Sequence, residues 1–258
     1  METKKRGKLI YQPAGKAGEY ATWACNLYNG CSNKCEYCYN RHGRGKAVLG
    51  KDEPTIKGGM DIQEAYNLFC VELEQYGYDI MRDGSLFFSF VSDPCLPETI
   101  LLNSMCISRC ISNYIPVTIL TKNADFILNN NWKLLLQYIS IVGKSNFIQF
   151  GFTLTGCDEL EPGAPSNDQR IDTMRFLYSK GLSTWASIEP IIDLEKSFSM
   201  FEKSLPVCAE YRFGLNSLKK GYTKQEVIDF KNRVEEANKE YCRKLVWKES
   251  VLKFINKK

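Results

Sequence analysis

Along the chain, short apolar runs of β character alternate with longer segments in which apolar residues return every three or four positions. "EYATWACNL" (19–27) reads as a first strand, "SLFFSFV" (85–91) as a second, "PVTIL" (116–120) as a third and "NFIQFGFTLT" (146–155) as a fourth. "STWASIEPII" (183–192) and "YRFGLN" (211–216) complete a set of six. Between them, helical spacing predicts helices over 61–77, 98–113, 124–139, 168–180 and 194–204. The first carries Ile62, Ala65, Leu68, Phe69 and Leu73 on one face and is expected to stop at Gly77. The fourth has Ser166 and Gln169 at capping-box spacing and Gly181 as its stop. Residues 223–256 read as a charged helical tail.

Six strands alternating with helices imply parallel βαβ units. Six is too few for a closed eight-fold barrel, so the expected fold is α/β, a partial (β/α)6 barrel with a C-terminal helical extension. The chain is read as one domain over 1–258, with its core at about 20–216 and the extension at about 223–256. In such folds reactive groups collect on loops at the carboxyl ends of strands. The conspicuous polar clusters all lie there: a cysteine loop after the first strand, "SDP" (92–94), "TKN" (121–123), "TLT" (153–155) and "IEP" (188–190).

Composition changes this picture little. The chain has 258 residues, 44% hydrophobic and 25% charged, with a formal net charge of +4, which neither demands nor excludes an anionic partner. The basic start "KKRGK" (4–8) reads as a solvated tail. No secretory signal and no membrane-length apolar run is visible. Eleven cysteines, an odd number without a secretion signal, argue against a disulfide scaffold and for a reducing cytoplasm. Cys70, Cys106, Cys110, Cys208 and Cys242 read as small core hydrophobes.

The stretch "NLYNGCSNKCEYCYNRH" (26–42) carries the chemistry. Cys31, Cys35 and Cys38 fall within eight residues, and the chain's one histidine, His42, follows. A structural zinc site takes four ligands in a tetrahedron, which these four could supply, with Cys25 in reserve. An iron–sulfur cluster held by three thiolates is the other reading, and it leaves one iron open. A zinc ion would staple a single loop in a chain that already has the pattern of a large core, so the cluster explains more.

The spacing C-x3-C-x2-C resembles the signature of the radical S-adenosylmethionine superfamily. "YCY" (37–39), "SDP", "TKN", "ELEPGAP" (159–165), "QRI" (169–171) and "STWASIEPII" narrow the resemblance to its spore-photoproduct-lyase-like branch, over residues 20–195. That resemblance implies a [4Fe-4S] cluster on Cys31, Cys35 and Cys38. It also implies S-adenosylmethionine chelated by the open iron, and an electron donor such as flavodoxin or ferredoxin. Ser92, Lys122 and Thr153 fall where the family contacts S-adenosylmethionine, and Asp93, Thr155 and Ser187, in the same motifs, join them as cofactor-binding candidates. Glu189 falls beside the adenosine. The repair enzymes of the branch keep a hydrogen-donating cysteine just before the "SDP"-type motif, where this chain has Val91. Cys95, Tyr37 and Tyr39 are the remaining candidate hydrogen donors.

Glu189 stands in an apolar phrase, and a buried carboxylate needs donors. It is expected to bond backbone or ribose, or to act as a fork for a guanine-like edge. Asp158, Glu159 and Glu161 read as solvated or loop-bracing, and Trp23 and Trp185 as core or stacking faces. A small 7-deazaguanine-like base therefore becomes the expected substrate. The resemblance then points to a queuine lyase of queuosine salvage, with radical repair or modification of nucleic acid as the alternative and a non-catalytic, zinc-stabilised binding module as the second.

Overall fold

The computed structural model describes residues 7–43, 45–216 and 221–256; of the basic start, residues 4–6 lie outside the described residues. The chain opens with β1 (Ile10–Tyr11), β2 (Trp23–Cys25) and β3 (Tyr28–Asn29). After the cysteine loop come α1 (Lys46–Leu49), β4 (Thr55–Ile56) and α2 (Ile62–Asp83). Then follow β5 (Leu86–Phe88), α3 (Ile100–Ser112), β6 (Val117–Thr121), α4 (Asn130–Ile141), β7 (Ile148–Thr153), α5 (Asn167–Ser179), β8 (Ser183–Ile191) and α6 (Leu194–Ser204). The chain ends with β9 (Glu210–Leu215), α7 (Lys224–Ala237), β10 (Lys244–Trp247) and α8 (Glu249–Ile255).

The main sheet has eight strands in the order β1-β2-β5-β6-β7-β8-β9-β10. All neighbours pair in parallel except β1, which runs antiparallel to β2 at one edge. The six expected strands are present, and the partial barrel carries one more parallel strand than the sequence suggested. β10 lies inside the stretch expected to be helical tail. Helix α7 ends at Ala237 because the Asn238 side chain turns the chain, bonding both the carbonyl oxygen (2.8 Å) and the N–H (2.9 Å) of Arg243. β10 then pairs with β9 from Lys244–Glu210 to Trp247–Phe213, and the Trp247 ring stacks on Phe213 at 4.3 Å. Burial of an aromatic face outweighs the helical propensity of a lysine- and glutamate-rich segment.

A second correction concerns α2, which runs through Gly77 to Asp83 and stops at Gly84 instead. Gly77 serves packing: a Cβ there would sit 3.0 Å from the Ile115 Cδ1. The Ser166–Gln169 capping box forms as expected, and α6 occupies the expected 194–204.

Strand alternation sorts the apolar residues into two layers. Leu86, Phe88, Val117, Ile119, Phe150, Phe152, Ala186, Ile188, Tyr211 and Phe213 face the surrounding helices and form the main core. Ala24, Phe87 and Trp185, with Tyr20, Phe90 and Leu120 against them, plug the barrel interior. Trp23 belongs to the outer layer and donates from its indole to Asp83 at 3.0 Å. Trp185 is interior and buried, and it lies against Gly151, where a Cβ would come within 2.1 Å of its ring. No described helix is long and apolar enough to cross a membrane.

Candidate active site

A cavity of about 620 Å³ opens at the carboxyl end of the barrel. Its walls include Cys31, Cys35 and Cys38, the strand-end residues Ser92, Asp93, Lys122, Thr153, Ser187 and Glu189, and the tyrosines Tyr37 and Tyr39. Eleven of the thirteen sequence-derived site residues therefore share one space. The other two do not reach it. Cys95 is fully buried within the outer core. Thr155 is fully buried too: its N–H donates to the Asn167 side chain, and its hydroxyl oxygen accepts from Cys157 N–H.

The cysteine loop is held from three sides. Cys31 N–H donates to the Lys51 carbonyl at 2.9 Å. Glu36 N–H donates to Leu160 O, and Gly163 N–H to Asn33 O, each at 3.0 Å, which lays the loop 157–166 against it. Third, Asn33 donates from its side chain to Asp93 at 2.9 Å. Asp93 also accepts from Lys122 N–H (2.7 Å), the Thr121 hydroxyl (2.6 Å) and Cys95 N–H (2.9 Å). Four donors saturate this carboxylate, so its role is to lock the cysteine loop to the ends of β5 and β6.

Gly163 makes the loop contact possible, since a Cβ there would lie 2.1 Å from Ser32 O and 2.9 Å from Asn33 Cα, both backbone. Gly163→Ala is expected to cost about 1–3 kcal/mol, the usual range for overpacking, read as a lowered melting temperature. A variant as stable as wild type would show that the two loops do not pack.

Beneath the cysteines lies a buried ion pair. Arg170 meets Glu161 at 2.6 Å, both side chains fully buried, and also donates to Thr153 O (2.9 Å) and Pro165 O (3.0 and 2.7 Å). Glu161 accepts from the Tyr37 hydroxyl through its second oxygen. Burial, and after it the Glu161 charge, push the Tyr37 phenol well above its usual value. Glu161 is thus loop-bracing but not solvated. Asp158 braces Asn167, accepting from its N–H at 2.8 Å, while the exposed Glu159 pairs with Lys196 at 2.6 Å. The Tyr39 ring is exposed at the cavity mouth, and its hydroxyl donates to Phe90 O.

At the opposite wall, Glu189 accepts from the Tyr20 hydroxyl and, at 2.8 Å, from the Lys248 ammonium, both on Oε2. Tyr20 also meets the Ser187 hydroxyl at 2.7 Å, and Lys248 lies 3.9 Å from the Tyr20 ring centroid. A guanine-reading fork needs both carboxylate oxygens, and one already has two donors. The sequence reading missed Tyr20 and Lys248. Tyr20 carried no motif, and Lys248 sat in a segment assigned to helical tail.

Three observations bear on what the cysteine end can hold. Ser92 Oγ and Asn33 Oδ1 are buried without a hydrogen-bond partner, although both residues line the cavity. The half-buried Lys122 ammonium has no ion-pair or hydrogen-bond partner among the described residues and lies 5.6 Å from the Tyr37 ring centroid. Burial opposes its charge, but Cys35 and Glu161 outweigh burial and leave it above the usual lysine value. Burial also pushes the Cys31 thiol up to about 12. Unsatisfied polar atoms and a cation beside three thiols fit an anionic, sulfur-ligated group with a polar cofactor.

A mononuclear zinc site would need a fourth protein ligand beside the three cysteines, but Cys25 is buried in the outer core and His42 does not line the cavity. His42 is exposed and bonds Glu36 O at 3.1 Å.

No family model matches the chain. An uncharacterized protein of Methanocaldococcus jannaschii is 28% identical over 210 residues, covering 77% of this chain and 72% of that protein. Among solved structures, spore photoproduct lyase complexed with dinucleoside spore photoproduct superposes with a TM-score of 0.61 at 14% identity. The match covers 92% of this chain and 78% of the lyase. SuiB of Streptococcus suis bound to S-adenosylmethionine gives a TM-score of 0.53 at 14% identity over 84% of this chain. This chain spans under half of SuiB, 44% of its length. The fold of this chain is therefore the partial barrel of the radical S-adenosylmethionine type, in the form shared with spore photoproduct lyase and SuiB.

Proposed function

We propose that this protein is a radical S-adenosylmethionine enzyme that acts on a base of nucleic acid, or on a nucleic-acid-derived compound. The observation that carries the reading is the meeting, in one cavity, of three cysteines from a single loop with the orphaned Ser92 and Asn33 oxygens and a Lys122 ammonium that has no ion-pair or hydrogen-bond partner among the described residues. Cys31, Cys35 and Cys38 are the residues that would hold a [4Fe-4S] cluster, and Ser92, Lys122, Thr153 and Ser187 line the space for S-adenosylmethionine. When bound, the two supply reductive cleavage of the sulfonium to methionine and a 5′-deoxyadenosyl radical.

The chain's own residues position and exclude. Asp93 fixes the cysteine loop against β5 and β6, and the interior plug of Phe87, Trp185 and Leu120 closes the floor to water. Such placement decides the outcome, because a primary alkyl radical abstracts hydrogen from almost any aliphatic C–H held against it. Tyr37 and Tyr39 both line the cavity and are the hydrogen-relay candidates, whereas Cys95 is buried and does not line it.

Support for a nucleic-acid type of substrate comes from the likeness to spore photoproduct lyase, solved with a dinucleoside spore photoproduct. Release of a 7-deazaguanine core from queuine is the second reading.

The test is anaerobic reconstitution with iron and sulfide, followed by reductant, S-adenosylmethionine and a panel of thymine-containing dinucleotides, short oligonucleotides, peptides and queuine. Mass spectrometry should detect 5′-deoxyadenosine, raised above its substrate-free level by a nucleic-acid member of the panel. Stimulation by queuine alone would favour the second reading. A colourless protein carrying one zinc per chain and releasing no 5′-deoxyadenosine would end both.

A further inference from the structure

The Glu189–Lys248 pair spans three strands. Glu189 lies on β8 and Lys248 just past the end of β10, with β9 between them. The carboxylate crosses β9 above Gly214, where a Cβ would sit 2.5 Å from both its Cδ and its Oε1. Register puts Lys248 there: Trp247 pairs with Phe213, and Lys248 N–H continues the ladder to Phe213 O at 3.0 Å. Leu245 and Trp247 pack outward on the core, and alternation turns Lys248 inward.

Its side chain is only 3% exposed, an expensive place for a charge unless a specific partner stands there. The partners are Glu189 Oε2 and the face of Tyr20, a cation over an aromatic ring. Here Tyr20 and Lys248 crowd onto Oε2, and no donor among the described residues reaches Oε1, although Glu189 lines the cavity and stays 19% exposed.

We propose that Lys248 is a positioning residue: with Tyr20 it pins one oxygen of Glu189, so that the other is presented to the cavity as a single acceptor for an N–H donor on the substrate. Flat aromatic surface stands beside that acceptor at Tyr20, Phe90 and Tyr39, all lining the same cavity, and a planar base with a ring N–H matches both features. This inference rests on the proposed function and names the group that its substrate must carry.

The experiment measures nucleoside binding, without turnover, to cluster-loaded, unreduced protein in the presence of S-adenosylmethionine. Equilibrium dialysis compares guanosine with 1-methylguanosine and thymidine with 3-methylthymidine, each pair differing in one N–H. Wild type is expected to prefer at least one unmethylated partner by about tenfold, the usual worth of a hydrogen bond to a charged group. In Glu189→Gln and Lys248→Met that preference should collapse towards unity, and Lys248→Arg should restore most of it. A merely structural role would weaken both members of a pair alike and leave their ratio intact. Should Lys248→Met fold poorly, Glu189→Gln, which keeps shape and volume, carries the test.

A wild type that fails to discriminate, or a Lys248→Met variant that discriminates as wild type does, overturns the assignment. Iron content and reductive cleavage of S-adenosylmethionine by wild type test the proposed activity separately. A loss of discrimination in protein that holds its cluster and cleaves S-adenosylmethionine therefore counts against this assignment and not against the proposed activity.

Discussion

Cys31→Ala is expected to reduce 5′-deoxyadenosine release to background while leaving the domain folded. Cys31 lines the cavity and forms no disulfide, so its thiol adds little packing. Substitution of such a side chain changes stability by about 0.5 kcal/mol or less, a shift of about 2 °C in melting temperature for a chain of this size. Activity is another matter, because a cluster with one thiolate missing is neither fully anchored nor poised to reduce a sulfonium. The measurement is a paired one, iron content with anaerobic turnover on one side and thermal unfolding of metal-free protein on the other. Turnover at the wild-type rate in Cys31→Ala would remove the cluster assignment altogether.

Arg170→Met is expected to produce the largest loss of stability of any single change near the site. It leaves Glu161 as an uncompensated, fully buried carboxylate and strips donors from the Thr153 and Pro165 carbonyls. Breaking a buried pair by removing one partner costs about 3–5 kcal/mol, which corresponds to a fall of about 10 °C in melting temperature. Since Glu161 also receives the Tyr37 hydroxyl, between Cys35 and Cys38 in sequence, cluster retention should decline along with stability. Glu161→Gln with Arg170→Met, which removes both charges, is expected to recover part of the loss. An Arg170→Met protein that melts with wild type would mean that the pair is solvated.

What was legible in the sequence was what acts locally. The three cysteines, the Ser166–Gln169 box and the bounds of α6 each depend on residues within one loop or one turn. The barrel type and the gathering of strand-end motifs at one cavity followed from the order of strands and helices, because parallel strands joined by helices place every strand end on one face. The zinc alternative also arose from local spacing, and it is weakened by the His42 side chain, which bonds Glu36 O and does not line the cavity.

Tertiary structure alone decided the partners of the charged groups. The donor that Glu189 needed is Lys248, 59 residues on, just past a strand that periodicity had read as helix. Glu161, assigned to a solvated or bracing loop, closes on Arg170 in complete burial. Asp93 meets Asn33 across 60 residues and so ties the cysteine loop to two strands. An ion pair leaves no periodic trace, since its worth depends on how much water both groups lose together, and only the packed barrel fixes that. The sequence determined where the thiols stand and which fold presents them; the folded chain chose which charges face the cavity and which are spent on holding it open.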